Sequence, residues 1–233
     1  MSGMERTRAP RKHHIAKVIA VDAHRIAYNA VPKAGCSSVK AALAQIDPDV
    51  TMPAPKDISV FTWHRLYPTV RFRSSSWARL NMYWRFCVVR DPARRLMSVY
   101  TNRVLEMDDL KNSRKLGLPK YAHLTREPDP DFFFQNLPDY IAASSAIKHH
   151  AMSARMFLGP RPMRYDRVYK TEEMAQLAAD LSERTGQEVV MARKNSSETH
   201  LDVRDLKYRT VQAIKPFLKG EYRYLRDYYE NPL

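Results

Sequence analysis

Short apolar runs alternate with segments of helical period along this chain, and the alternation predicts a mostly parallel sheet flanked by helices. The runs that predict strands are Val18–Val21, Arg25–Val31, Ile58–Phe61, Trp84–Val89, Arg167–Tyr169 and Val189–Met191. The segments that predict helices are Ser38–Gln45, Ala93–Leu105, Asp131–Ala143, Ser145–Phe157, Glu172–Arg184 and Asp202–Asp227. Residues 108–130 are charged and lack a regular period, which predicts a long loop of the kind that often has a function.

Length and charge narrow the class of protein. A chain of 233 residues with 44% hydrophobic residues is long enough for one domain with its own core, so we expect a basic flexible tail over residues 1–14 and a single domain over residues 15–233. Lys and Arg outnumber Asp and Glu by 39 to 25, a net charge of +14. This charge favours anionic partners, and a nucleic acid, an anionic glycan, a membrane surface and a charged nucleotide all fit it.

The two cysteines and the first residues indicate the compartment. Cys36 and Cys87 are too few for a disulfide framework, which favours a reducing compartment. Residues 1–17 contain no apolar region of signal-peptide length, and no stretch has the roughly 20 apolar residues that a membrane span needs. We therefore expect a cytoplasmic protein without a transmembrane segment, for which peripheral contact with a membrane surface is compatible with the charge.

The first predicted strand–loop–helix unit carries a candidate phosphate loop, Pro32-Lys33-Ala34-Gly35-Cys36-Ser37-Ser38. Gly35 allows a ligand to approach the backbone closely. Ser37 and Ser38 fall where the helix begins, and the free N–H groups and dipole of a helix N-terminus attract phosphate. Lys33 adds a positive charge. The loop is not a Walker motif, because Lys33 precedes the glycine and no residue is placed to hold Mg²⁺.

The second unit has the sequence Val89-Arg90-Asp91-Pro92 after an apolar strand, with Ser98 in the helix that follows. Arg90 lies at the carboxyl end of the strand, the edge where open α/β sheets bind ligands. Its planar guanidinium suits bidentate phosphate binding, and Ser98 offers a hydroxyl. The two loops together predict a site for the two ends of one phosphorylated nucleotide.

Pro-Lys-x-Gly-x-Ser-Ser followed by Val-Arg-Asp-Pro-x-x-Arg-x-x-Ser-x-Tyr resembles the motifs of the sulfotransferases, most closely the "family 2" carbohydrate sulfotransferases, which include bacterial relatives. The resemblance implies a sulfotransferase fold with a P-loop-like sheet and 3′-phosphoadenosine 5′-phosphosulfate (PAPS) as the sulfuryl donor. It also implies a glycan or glycolipid acceptor, which includes anionic ones. By this resemblance the nucleotide is bound by Lys33, Ala34, Gly35, Cys36, Ser37 and Ser38 at the 5′-phosphosulfate, by Arg90 and Ser98 at the 3′-phosphate, and by Lys194 and Ser196 in a later loop.

In-line sulfuryl transfer requires a cation at the leaving oxygen and a base for the acceptor proton. We expect Lys33 to be the cation. His64 falls between the two motifs, as the base does in similar glycan sulfotransferases, although it could instead be a packed partner of Trp63.

Three further residues are candidates for acceptor binding. His149 and His150 lie where relatives contact the acceptor, with a pair on a helix surface as the alternative. Arg94 is a candidate for the acceptor or for the 3′-phosphate, with a solvated basic face as the alternative.

Two other functions share part of this pattern. A nucleotide kinase would use a phosphate loop, but it would need a Walker lysine and a magnesium site. A nucleic-acid-binding protein would explain the charge, but not two phosphate loops, so we expect no nucleic-acid partner. No Cys/His group has the spacing of metal ligands, so we expect no metal.

Overall fold

A computed structural model describes residues 18–59, 61–160, 165–191 and 199–233. Its sheet has the strand order β1-β2-β3-β4. The strands are β1 (Ile19–Val21), β2 (Ile26–Asn29), β3 (Trp84–Val89) and β4 (Arg167–Lys170). β1 and β2 are antiparallel, whereas β2, β3 and β4 are parallel, with Tyr28 opposite Phe86 and Val88 opposite Tyr169. The mostly parallel α/β sheet predicted from the sequence is confirmed.

Helices cover the sheet and form a second layer beside it. Their bounds are α1 (Cys36–Ile46), α2 (Thr62–Leu66), α3 (Ser74–Ala78), α4 (Pro92–Val99), α5 (Pro130–Gln135), α6 (Leu137–Ala143), α7 (Ser145–Ala151), α8 (Arg155–Leu158), α9 (Met174–Thr185) and α10 (Tyr208–Tyr224). A π-helical segment, Tyr100–Glu106, continues α4 directly. Such segments are rare and frequently occur at functional sites.

The core has three parts, and the period of two along the strands explains the first two. One face of the sheet presents Tyr28, Phe86 and Tyr169 to α1 and α9. The opposite face presents Ala27, Cys87 and Val89 to a cluster that includes Trp77 and Phe157. The third part lies among the helices that follow β3 and is built mainly from α4, α5, α6 and α10.

Several sequence predictions differ from the structure. Ile58 and Ser59 are not in a strand, and Phe61 is followed at once by helix α2 (residue 60 lies outside the described residues). Val189–Met191 forms no strand either. Val189 is buried in the core and bonded through its N–H to the side chain of Ser182, so packing against α9 takes the place of sheet pairing.

The long predicted helices are divided. Asn136 ends α5, and α6 begins at Leu137 with Pro138 in its first turn, where a missing N–H costs nothing. The segment predicted as Ser145–Phe157 becomes α7 and α8, and the C-terminal helix is confined to α10. Within residues 108–129 the only helical segments are short 3₁₀ turns, at Arg114–Gly117 and Pro119–Tyr121, and Pro130 begins α5.

Candidate active site

The first phosphate loop has an unusual backbone conformation. Lys33 and Gly35 both lie in the left-handed region, with φ of 67° and 69°. A side chain on residue 35 would also meet the Met174 methyl, since a Cβ would lie 3.3 Å from it. The left-handed conformation therefore favours glycine at position 35, and any larger residue would also require the Met174 side chain to shift. Lys33 has no such freedom, and a non-glycine residue in this region often marks a functional loop.

Helix α1 begins directly at this loop. Its first intrahelical bond runs from the Val39 N–H to the Gly35 carbonyl, at 3.2 Å. The N–H groups of Cys36, Ser37 and Ser38 therefore precede the hydrogen-bonded part of the helix, at its positive end. This arrangement can bind a phosphate or sulfonate group.

Two adjoining cavities open at this edge of the sheet. The first has a volume of about 410 Å³, the second about 500 Å³. Both are lined by Lys33 and Arg90. The first cavity is lined further by Pro32, Gly35, Cys36, Ser37, Phe61, His64, Pro68, Thr69, Asn102, Arg103, His149 and His150. The second is lined further by Arg94, Ser98, Thr101, Thr199, His200, Leu201, Asp202 and Asp205.

Lys33 lies at the junction of the cavities. Burial lowers its pKa to about 8, with Arg103 and Arg90 acting in the same direction and Cys36 opposing them. Its backbone carbonyl accepts a hydrogen bond of 3.2 Å from the Arg90 guanidinium. A bound anion would replace the lost hydration of this ammonium and raise its pKa again.

The second phosphate loop, Val89-Arg90-Asp91-Pro92, leads from β3 into helix α4, as the sequence predicts. Asp91 caps α4 by accepting from the Arg94 N–H at 2.8 Å, and Pro92 occupies the first helical turn. Ser98 lines the second cavity, but its hydroxyl donates to the Arg95 carbonyl at 2.7 Å. This hydroxyl must rotate away from the helix before it can donate to a phosphate.

The two arginines that follow have different environments. Arg95 is fully buried and forms a 3.0 Å ion pair with Glu221 of α10. The same guanidinium donates to the carbonyls of His150 and Met152. Arg95 thus joins α4, α10 and the end of α7, and so fixes the segment that carries His150. Arg94 is exposed, lies 3.8 Å from Glu172 and lines the second cavity beside Arg90. Acceptor binding by Arg94 stays a prediction.

His64 belongs to a hydrogen-bonded chain of partly buried polar groups that the sequence analysis did not predict. Its Nε2 lies 2.9 Å from the Ser37 hydroxyl and its Nδ1 lies 3.0 Å from Nζ of Lys40. Lys40 also donates to the Thr69 hydroxyl at 2.6 Å. Burial, followed by the positive charges of Lys40 and Arg103, lowers the pKa of His64 to about 4. His64 is therefore neutral near physiological pH. Trp63, not His64, is the residue of this pair that packs into the core.

The histidine pair of α7 lines the wall of the first cavity. The rings of His149 and His150 meet edge to face at 5.1 Å. Burial lowers the pKa of both and brings that of His150 to about 2, because Arg103 and the neighbouring histidine add to the effect. Nδ1 of His150 is buried without a hydrogen-bond partner. A buried polar atom without a partner is costly.

The π-helical segment contributes two residues that the sequence analysis also missed. Asn102 and Arg103 line the first cavity. Arg103 is held by Asp109 at 2.5 Å, while Asn102 donates to Glu106 at 2.7 Å. In the sequence, this π-helical segment has the same pattern as an ordinary α-helix. The pattern therefore does not reveal that Asn102 and Arg103 face the cavity. Lys40 had a clearer signal, as a single charged residue within the apolar part of α1.

Other predicted features can be placed only in part. Lys194 and Ser196 lie outside the described residues. Within the described ranges, no group of three or more His, Cys, Asp or Glu residues could hold a metal ion. No helix in that part of the chain is long and apolar enough to cross a membrane. The first cavity is lined mostly by cationic and neutral polar groups beside the N-terminus of α1, where free N–H groups favour an anion.

The mostly parallel α/β sheet, with cation-lined cavities where its strands end, is typical of an enzyme that binds an anionic ligand. Residues 17–231 match the family model described as "Sulfotransferase family", so the chain belongs to the sulfotransferase family. It is 28% identical over 192 residues to carbohydrate sulfotransferase 14 of Danio rerio. The aligned region covers 76% of this chain and 50% of that protein. The chain thus spans about half the length of this relative. No solved structure matches the chain. The predicted family is confirmed.

Proposed function

We propose that this protein transfers a sulfuryl group from PAPS to a hydroxyl of a carbohydrate or glycoconjugate acceptor. The observation that carries the proposal is the junction of the two cavities, where Lys33 and Arg90 line both and are joined by a hydrogen bond. A donor with phosphate groups at two ends requires two anion sites that are separate but contiguous. The family match favours sulfuryl transfer over the nucleotide-kinase and nucleic-acid-binding alternatives.

The residues of the chain fit such a donor. The free N–H groups at the start of α1, with Lys33, would bind the 5′-phosphosulfate, with the backbone of Ala34 and Gly35 close by. Arg90 and Ser98 would bind the 3′-phosphate, and Arg94 is near enough to share that charge. The proposed roles of Lys194 and Ser196 at the nucleotide stay predictions.

The acceptor would enter the first cavity, on the side of His149, His150 and Arg103. The acceptor oxygen forms a bond to sulfur while the bond from sulfur to the phosphate oxygen breaks, and the electron pair remains on the phosphate. Lys33 stabilises that developing charge, which is a larger effect in a buried site than in water. His64 stays the predicted base for the acceptor proton, since it lies beside Ser37 at the phosphate loop.

The basic lining of the cavity supports an anionic acceptor as well as a neutral one. The relative's name supports a carbohydrate. A cytoplasmic location, contact with a membrane surface and the lack of a nucleic-acid partner stay predictions.

Transfer of labelled sulfate from PAPS to a panel of glycans and glycolipids tests the proposal. In parallel, the melting temperature is measured with 3′-phosphoadenosine 5′-phosphate, with ATP plus Mg²⁺ and with duplex DNA, since a ligand of the folded state raises it. We expect the first ligand to give the largest increase. A larger increase with ATP or DNA, together with no labelled product, would reject the proposal.

A further inference from the structure

Lys40 is an unusual residue for the interior of a protein. Its side chain is 0% exposed, although lysine is almost never fully buried unless it is paired. Among the described residues no carboxylate forms an ion pair with it. Its two partners are Nδ1 of His64 and the hydroxyl of Thr69. Lys40 is thus a buried lysine in direct contact with a histidine of the candidate active site, which points to a functional role for its charge.

The hydrogen bond between Lys40 and His64 determines where the imidazole proton lies. An ammonium has three N–H donors and no acceptor, so Nδ1 of His64 must accept when Lys40 is charged. The neutral ring then carries its proton on Nε2 and donates it to the Ser37 hydroxyl, 2.9 Å away. Ser37 can in turn donate into the cavity, towards an anion at the start of α1. In this state the one ring lone pair of His64 is on Nδ1, where it accepts from Lys40, so Nε2 cannot take a proton from the cavity.

Loss of a proton from Lys40 reverses the direction of the chain. A neutral amine has a lone pair that can accept from Nδ1–H. The lone pair of Nε2 then faces Ser37 and the cavity, and His64 can act as a base there.

We propose that Lys40 is a positioning residue whose charge decides which nitrogen of His64 carries the proton, and thereby whether His64 can accept the proton of the acceptor hydroxyl. The inference rests on the proposed role of His64 as the base. In the active state the acceptor O–H bond breaks as its proton moves to Nε2, the oxygen forms the new bond to sulfur, and the bond from sulfur to the donor phosphate breaks.

The surroundings of the pair allow such control. Lys40 is hydrogen-bonded to His64 of α2 and to Thr69 of the following loop, and Cys36 of its own helix acts to raise its pKa. His64 also faces the positive charges of Lys33 and Arg103, and His149 of α7. Burial lowers the pKa of Lys40 from its ordinary value, so Lys40 loses its charge at a lower pH than an exposed lysine does. At saturating nucleotide, whose phosphates raise the pKa of Lys33 and keep it charged, we expect turnover to rise about tenfold per pH unit until Lys40 is neutral.

The position of the proton can be observed without any assay of activity. The full chain is labelled with ¹⁵N-histidine, and the ring nitrogens are followed by long-range ¹H–¹⁵N NMR from neutral to alkaline pH. The signals of His64 are identified by their loss in His64→Gln. We expect the Nε2–H tautomer near neutrality and conversion towards Nδ1–H as the pH rises. A wild-type ring that is Nδ1–H at neutral pH, or that does not change, would overturn the inference.

Variants of Lys40 provide the matched comparison. Lys40→Arg keeps a charge that is not lost in proteins, so His64 should stay Nε2–H at every pH and the alkaline rise in turnover should disappear. Lys40→Met removes the donor, so the tautomer should no longer follow pH. Lys219→Met, which changes an exposed lysine of α10, should behave as the wild type. If the Lys40 variants do not fold, Thr69→Val replaces them. Loss of an acceptor for the ammonium should move the conversion to lower pH, and an unchanged conversion would count against the inference.

The NMR and kinetic results separate this inference from the proposed function. A tautomer that follows Lys40 while His64→Ala keeps full turnover would place the base elsewhere and leave the control by Lys40 intact. A tautomer that ignores Lys40 while His64→Ala is inactive would overturn the inference and leave the proposed base intact.

Discussion

The guanidinium of Arg90 donates a hydrogen bond of 3.2 Å to the backbone carbonyl of Lys33, and this bond joins the two phosphate loops. The loops are far apart in the sequence but follow β2 and β3, which are neighbouring parallel strands. The carboxyl ends of both strands therefore meet at one edge of the sheet. The two loops are thus close enough for one nucleotide to contact both, and the first prediction concerns the second loop.

Arg90→Ala should weaken binding of 3′-phosphoadenosine 5′-phosphate by about tenfold or more, because a charge-assisted hydrogen bond contributes on the order of 1.5–3 kcal/mol. Isothermal titration calorimetry measures this effect. Binding of ATP, which has no 3′-phosphate, should be weak in the wild type and should change little. Equal affinity of the wild type for the two nucleotides would contradict the assignment of Arg90 and Ser98 to the 3′-phosphate.

Lys33→Ala should lower kcat more than it lowers affinity for the product nucleotide, since the ammonium acts mainly on charge that develops on the leaving oxygen. The pH dependence of binding gives a second measure. The pKa of Lys33 is about 8 in the free protein, and a bound anion raises it, so binding takes up a proton at alkaline pH. Affinity should therefore be full below pH 8 and fall as the pH rises through it. A mutant with an equal loss of affinity and turnover would make Lys33 a binding residue only.

His64→Ala should reduce turnover by roughly 10²–10⁴-fold and leave nucleotide binding nearly intact. Because the pKa of His64 is about 4, protonation of its ring should inhibit the wild type only in acid, well below the range of an ordinary histidine. Steady-state rates from acid to alkaline pH test both points, and the loss in the mutant should be largest at the pH where Lys40 is neutral. Near-normal turnover of the mutant would transfer the role to His149 or His150.

Gly35→Ala and Gly186→Ala form a matched pair. Both glycines have a positive φ, 69° and 67°, so a Cβ should cost about 1–2 kcal/mol of stability at either position. Only at Gly35 would the Cβ also meet Met174, since Gly186 has no atom within 4 Å. We expect both variants to melt earlier in thermal unfolding and only Gly35→Ala to lose nucleotide affinity. Loss of affinity in both would mean that destabilisation alone explains it.

Glu221→Ala should lower the free energy of unfolding by about 3–5 kcal/mol, since it leaves the buried Arg95 without its ion pair. It also removes the acceptor of the Ala154 N–H, at 3.0 Å. The double variant Arg95→Met with Glu221→Met should be less destabilised than the single one, because no charge remains buried. Chemical denaturation measures both. A double variant as unstable as the sum of its singles would show that the pair is not coupled.

The sequence by itself determined the two phosphate loops and the strands β2 and β3 that lead into them. A phosphate site at the end of a strand depends on a short contiguous segment, so the sequence was sufficient to predict the roles of Lys33, Gly35 and Arg90. The family resemblance rests on the same segments, which is why it was confirmed over residues 17–231.

The way in which residues from different helices surround these loops depends on long-range packing, which the sequence pattern does not reveal. Lys40 and His64 are far apart in the chain and meet because α1 packs against α2. Arg103 lines the cavity from a π-helical turn. Arg95 is buried and forms an ion pair with Glu221 of α10. Packing against α9 likewise replaces the strand that was expected at Val189–Met191. Local pattern reports which residues prefer a helix or a strand, whereas burial, charge partners and pKa depend on neighbours that only the folded chain supplies.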